Sequence, residues 1–255
     1  MTWSAERYLR FEEERTRPVR DLLSAVPDFD ARFAMDLGCG PGNSSEVLAA
    51  KFPGATVMGL DSSADMIAAA RERLPEITFE LGGIETWAPA ESFDVILANA
   101  VLQWVPDHAG LLPRLVGRLA PDGVLAVQMP DNLAEPVHVL MRETAAAGSW
   151  AEKLAAAAGS RSPLGAPERY YDLLRPFCSK VDVWRTTYHH PLQGAAGVVA
   201  WMRGTGLRPF LDPLEPSEQG EFLAAYEAAL SSAYPIRTDG SLLLPFPRLF
   251  FVAIR

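Results

Sequence analysis

The sequence predicts an α/β fold: a mostly parallel sheet whose strands alternate with helices, followed by a second half that is largely helical. Three observations predict it. Between Ala31 and Pro130, short apolar runs rich in β-formers alternate with segments of helical period, which is the pattern of βαβ units. The first of these runs leads into Asp36-Leu37-Gly38-Cys39-Gly40-Pro41-Gly42, a glycine loop that opens a helix. The second run leads into an acid, Asp61.

Taken in order, the first-half strands are expected at Arg32–Leu37, Ala55–Leu60, Ile77–Leu81, Phe93–Ala98 and Val124–Met129. Helices are expected at Ser44–Phe52, Ala64–Leu74 and Ala109–Leu119, with Asn43, Ser63 and either Asp107 or His108 as side-chain caps. Ala120-Pro121-Asp122-Gly123 reads as the turn into the fifth strand. Beyond Pro130 the helical segments fall near 134–147, 150–158 and 167–175, before an alternating strand at Val181–Tyr188. Two more helical segments, near 194–203 and 216–233, precede a final apolar strand at Leu242–Ile254, where Pro245 and Pro247 restrict pairing. Gly159–Pro167 reads as a loop, and no internal repeat is present.

Composition bounds the function. A chain of 255 residues with 49% hydrophobic content builds one large domain or two small ones. Its 23 Lys+Arg against 32 Asp+Glu give a net charge of −9, which argues against a nucleic-acid backbone as partner. The two cysteines, Cys39 and Cys178, cannot supply a disulfide framework, so a reducing compartment is expected. No apolar run approaches the roughly 20 residues of a membrane span, and the first residues mix charges of both signs. The expectation is a cytoplasmic protein with no membrane partner; oligomeric state is not legible.

The glycine loop narrows the chemistry. Glycine lets backbone approach a ligand closely and takes positive φ. The dinucleotide fingerprint G-x-G-x-x-G rests a pyrophosphate on the helix start. Here the third glycine comes one residue early, Asn43 stands in the fingerprint's glycine position, and Asp36 precedes the loop. A carboxylate there repels a pyrophosphate and suits an ammonium group. Asp61, at the second strand end, is placed to accept from both hydroxyls of a ribose.

With these residues in view the sequence resembles the class I S-adenosylmethionine-dependent methyltransferases, whose nucleotide loop has the form D-x-G-x-G-x-G. The resemblance implies their Rossmann-like, mostly parallel seven-stranded sheet with helices on both faces and a helical acceptor-binding cap. It implies one methyltransferase domain over 1–255: an N-terminal lid helix in 1–30, the core in 31–130, cap insertions in 131–180 and 192–240, and final strands in 181–190 and 241–255. It further implies that Asp36, Gly38, Cys39 and Gly40 line the methionine moiety, Asp61 the ribose, Ser62 and Met66 the adenine edge, and Asn99 the tail. One position departs. Many relatives carry an acid after the third strand, whereas this chain reads Gly82-Gly83-Ile84-Glu85 with Gly83 in the acidic place. By the resemblance Gly83, Ile84 and Glu85 fall on the cofactor side; the acid's contact is lost or taken over by Glu85, which is otherwise an ordinary solvated acid.

The remaining segments bear on the acceptor. Aromatic residues at helical spacing, Trp3, Tyr8 and Phe11, precede the core as a lid or as a sheet-capping helix. Gln103 and Trp104 follow the fourth strand, where open α/β sheets bind ligands. In the second half His189, Trp201, Arg203 and Arg248 combine arginines with aromatics, which suits an anion, since guanidinium matches carboxylate geometry bidentately. Adjacent His189 and His190 would point to opposite faces of a strand and have no nearby third ligand, so no metal is expected. Only Lys51, Lys153 and Lys180 are lysines, so nucleotide-composition bias explains the arginines equally well. The stretches Trp3 through Pro18, Asp36 through Ser44, Ala98 through His108, Val183 through Pro191, Val199 through Pro209 and Phe246 through Phe250 resemble a branch of the family whose acceptor is a small anionic tricarboxylate. That implies methyl transfer to a carboxylate, already ionised near neutral pH, with no catalytic general base. Two other readings stay open: a different small-molecule or carrier-linked carboxyl methyltransferase, and a noncatalytic cofactor-binding module.

Overall fold

The computed structural model describes residues 12–159, 162–204 and 206–255. Trp3, Tyr8 and Phe11 lie outside the described residues.

The elements run α1 (Glu12–Ser24), β1 (Phe33–Leu37), α2 (Asn43–Lys51), β2 (Thr56–Asp61), α3 (Ala64–Arg73), β3 (Thr78–Leu81), β4 (Phe93–Asn99), a 3₁₀ turn (Leu102–Trp104), α4 (His108–Val116) and β5 (Leu119–Pro130). They continue with α5 (Pro136–Ala147), α6 (Ala151–Ala158), α7 (Pro167–Leu174), β6 (Lys180–Gln193), α8 (Gly194–Arg203), α9 (Arg208–Leu211), α10 (Pro216–Ala233) and β7 (Ser241–Ile254). The strands form one seven-stranded sheet in the order β3-β2-β1-β4-β5-β7-β6. The first five are parallel, with Asp36 opposite Gly59 and Leu97 in the centre. Main-chain bonds from Asp131 N–H to the Pro247 carbonyl and from Arg255 N–H to the Gly123 carbonyl run in opposite senses along the pair, so β7 is antiparallel to β5. Strands covered on both faces read as continuous apolar runs, and Ala34, Leu37, Val95, Ile96, Leu97, Leu125 and Val127 are fully buried.

Two expected features take a different form. Ala120-Pro121-Asp122-Gly123 lies inside β5, because Leu119 pairs with Phe93 and Val124 already with Val95; the excess residues loop out as a bulge, with Asp122 at φ +61°. Asn43 does not cap α2. Gly42 holds the cap position at φ +93° without a side-chain bond, and the Asn43 amide instead donates to Glu12 at 2.6 Å. Ser63 caps as expected, and of Asp107 and His108 it is Asp107 that caps; they accept from the Met66 and Gly110 amides.

The chain divides into two compact units. The first holds the residues up to Pro130 with Gly165–Thr186 and Leu249–Arg255; the second holds Asp131–Leu164 and Thr187–Arg248. In the first unit α1 buries Val19, Leu22 and Leu23, and Glu12 also takes the Arg73 guanidinium at 2.5 Å. In the second, Val137 donates its N–H to Tyr234 Oη and accepts at its carbonyl from Tyr226 Oη, while a reciprocal Glu215–Glu218 capping box starts α10.

Candidate functional site

In an open α/β sheet, ligands meet the carboxyl ends of strands where strand order reverses. Here that point lies between β1 and β4, which are paired side by side although β2 follows β1 in the chain. The residues at these ends are Asp36, Asp61 and Asn99 with the loops that follow.

The loop after β1 passes Gly38, Gly40 and Gly42 at φ +70°, +54° and +93°, a region costly for residues with a Cβ. Its amides are committed internally. Gly38 and Cys39 donate to the Leu60 carbonyl at 2.7 and 3.0 Å, Gly40 donates to Asp61 Oδ2 at 2.9 Å, and Gly42 donates to the Cys39 carbonyl. A phosphate cradle needs such amides aimed outward. This loop therefore offers shape and carboxylates, not anion-binding donors. A Cβ added at Gly40 would have no atom within 4 Å, so the loop is open there.

Asp36 is fully buried, and its Oδ2 accepts from Ser44 and Ser45 hydroxyls, both at 2.7 Å. Its Oδ1 has no hydrogen-bond partner. Burial raises the Asp36 pKa from 3.8 to about 6, with the two serines opposing and the Asp61 charge adding to the rise. Asp61 is partly accessible; burial raises its pKa too, against backbone donors that include Ser63, whose N–H meets Oδ1 at 2.9 Å. Two carboxylates, one fully buried with an oxygen unmatched, bracket an open glycine loop. That set of acceptors fits a cationic nucleoside-like ligand and does not fit a dinucleotide pyrophosphate.

The other expected cofactor residues take varied places. The Cys39 side chain packs with Ile67, Ala70 and Phe79, and burial pushes its thiol far up, so only its peptide is left to meet a ligand. Ser62 is exposed, whereas Met66 is a core residue. Ile84 is buried, and Arg114 grips the Ile84 and Trp87 carbonyls at 2.9 and 2.8 Å, shaping the loop after β3. A Cβ at Gly83 would lie 3.2 Å from Glu85 Oε2, so the Glu85 carboxylate stands over the glycine that replaces the family acid. Asn99 Oδ1 accepts from the fully buried Gln128 at 2.7 Å. Gln103 donates to the Ala100 carbonyl at 2.6 Å, and Trp104 sits half-buried beside it on the 3₁₀ turn.

In the second unit, Arg248 and Trp201 are buried, at 4% and 1% exposure. The Arg248 guanidinium lies 4.9 Å from the Phe246 ring centre and 5.9 Å from that of Tyr188. Trp201 stacks on His190 at 4.4 Å. His189, on the opposite side of β6 from buried His190, is exposed, as is Arg203 at the end of α8. The exposed pair is thus presented to solvent, and the buried pair belongs to an aromatic cluster.

Sequence reasoning missed Ser44, Ser45, Arg114 and Ala100. Hydroxyls following an acid-glycine loop are a readable signal for the serines. A left-handed alanine leaves none.

A methyltransferase-domain family matches residues 30–177 of the chain. Over 253 residues the chain is 57% identical to trans-aconitate 2-methyltransferase of Methylobacterium radiotolerans, covering 98% of this chain and 97% of that one. The enzyme of that name from Variovorax paradoxus is 54% identical, covering 99% and 98%. Among solved structures, YcgJ from Bacillus subtilis matches with a TM-score of 0.61 at 13% identity, covering 94% of this chain and 98% of that one. Phosphoethanolamine N-methyltransferase 2 of Haemonchus contortus, solved with S-adenosylmethionine, matches with a TM-score of 0.55 at 17% identity, covering 95% and 52%. These two likenesses bear on the fold.

Proposed function

The chain belongs to the trans-aconitate 2-methyltransferases of the methyltransferase-domain family, and from that membership we propose that it transfers a methyl group from S-adenosylmethionine to one carboxylate of trans-aconitate. The products are the monomethyl ester and S-adenosylhomocysteine. The observation that carries this reading is the glycine loop with its amides turned inward and a carboxylate on either side, Asp36 and Asp61.

S-adenosylmethionine supplies an electrophilic methyl on a sulfonium. Gly38, Cys39 and Gly40 would line its methionine part through backbone, with Asp36 facing the ammonium and Asn99 the tail. Asp61 would take the ribose, and Ser62, Met66, Gly83, Ile84 and Glu85 the adenine side. The Glu85 carboxylate is exposed, and its Oε2 lies 3.2 Å from where a Cβ at Gly83 would stand, a nearness that supports the substitute reading.

No general base is required, because the acceptor carboxylate is ionised at neutral pH, its reference pKa being near 4. What remains is to align its oxygen with the methyl and to exclude water, a proximity effect of about 7–11 kcal/mol in favourable cases. Both charges diminish as the ester forms, so a dry site favours the transition state over a hydrated ion pair.

A trianion needs donors. Arg203 is the leading clamp: its exposed guanidinium has no ion-pair partner among the described residues. The sequence also names His189, Trp201, Arg248, Tyr8, Gln103 and Trp104 for the acceptor; of these Trp201 and Arg248 support the aromatic cluster, and Gln103 bonds its own turn at Ala100. The wild-type chain should convert trans-aconitate to a methyl ester detectable by mass. Arg203→Ala should raise KM for trans-aconitate roughly 10- to 100-fold with cofactor affinity kept, the loss expected for a charge-assisted bidentate pair. A KM within about twofold of wild type would remove Arg203 from the site.

A further inference from the structure

The segment after β4 is held in a shape its sequence does not favour. Ala100 has φ +53°, in the left-handed region that disfavours a residue with a Cβ. Two hydrogen bonds keep it there: its N–H donates to the Gln128 carbonyl at 2.8 Å, and its own carbonyl accepts from Gln103 Nε2 at 2.6 Å. A backbone carbonyl only accepts, so the Gln103 amide must turn its NH₂ toward Ala100. That leaves Oε1 at the other end, buried and without a hydrogen-bond partner. An unmatched buried acceptor is unusual and calls for a reason.

What the turn positions lies one residue on. A Cβ added at Gly38 would fall 2.3 Å from Val101 Cγ2 and 2.5 Å from Val101 Cβ. Val101 thus fills the space over the first glycine of the loop, and its position depends on the turn at Ala100.

We infer that Gln103 is a positioning residue for methyl transfer: it maintains the left-handed turn at Ala100 and thereby seats Val101 against Gly38, shaping the cofactor loop from the neighbouring strand. The inference rests on the reading that this loop holds S-adenosylmethionine. It gives Gln103 a task other than binding the acceptor carboxylate, because its amide is anchored by one N–H to its own turn.

The test uses Gln103→Met, similar in length and unable to make the bond. Its affinity for S-adenosylhomocysteine, measured calorimetrically without any acceptor, should fall roughly 5- to 20-fold, the scale of one left-handed residue's penalty. KM for trans-aconitate should stay within about twofold. Adding Ala100→Gly should restore most of the affinity, since glycine adopts positive φ freely. Val101→Ala should weaken binding similarly and not be restored by Ala100→Gly. A raised KM for trans-aconitate with cofactor affinity intact would overturn the inference, as would a double variant no better than Gln103→Met. If Gln103→Met does not fold, unchanged affinity in Val101→Ala overturns it alone. A wild-type chain that does not bind S-adenosylhomocysteine would instead overturn the cofactor reading on which the inference stands.

Discussion

Asp36 is a carboxylate placed where water cannot reach it, and two serine hydroxyls only partly compensate. With its pKa raised from 3.8 to about 6, the folded chain holds a proton that the unfolded chain has released across that interval. Stability therefore falls as pH rises from about 4 to about 6, by about 3 kcal/mol from this group. Asp36→Asn should remove that fall, so its stability relative to wild type should improve from about pH 4 to about pH 6 and then level off, in urea titrations of the ligand-free chain. A difference that does not change across that range would show that the burial penalty is not there. The same carboxylate is useful in the proposed reaction, because a cationic ligand stabilises its charged form. The placing of Asp36 and Asp61 at strand ends beside the glycine loop was legible in the sequence, because each stands at or next to the end of an apolar β-rich run. The burial of Cys39 and Met66 was not, because a glycine-loop pattern shows which residues flank a ligand but not which side chains turn into the core.

Helices and strands were legible where their period was clear. All the parallel strands were expected within a residue or two except β5, whose bulge at Ala120–Gly123 has the composition of a turn and differs only in its pairing. Asp107 was legible as a cap, and it carries a double load: it stands at φ +57° and its carboxylate accepts from Gly110 at 3.1 Å. It starts α4, whose Arg114 holds the loop after β3. Asp107→Ala should destabilise the chain by about 1–2 kcal/mol, from the lost cap and the unfavourable φ together, with Asp107→Asn keeping most of the stability. Equal urea midpoints for Asp107→Ala and wild type would contradict this. The short helix α9 and the 3₁₀ turn were not expected, since four and three residues are too few to display a period.

Across the whole molecule, charge follows the proposed division of ligands. Residues 1–130 carry 11 basic and 19 acidic side chains, and residues 131–255 carry 12 and 13. The acidic excess falls with the carboxylates assigned to a cationic cofactor, while the near-neutral remainder carries its basic charge mostly as arginine. The fold and the family were legible end to end. The acceptor residues were not, because arginine and aromatic side chains serve a core as readily as a ligand, and Arg248 and Trp201 are buried in an aromatic cluster. The most direct measurement follows the methyl group itself: S-adenosylmethionine labelled with carbon-13 at its methyl, incubated with the chain and a panel of di- and tricarboxylates and read by NMR. The account predicts that the sulfonium methyl signal decays only with trans-aconitate or its close analogues, as an ester methyl and S-adenosylhomocysteine grow in equal amounts. A sulfonium methyl that persists with every acid while the chain binds the cofactor would contradict it.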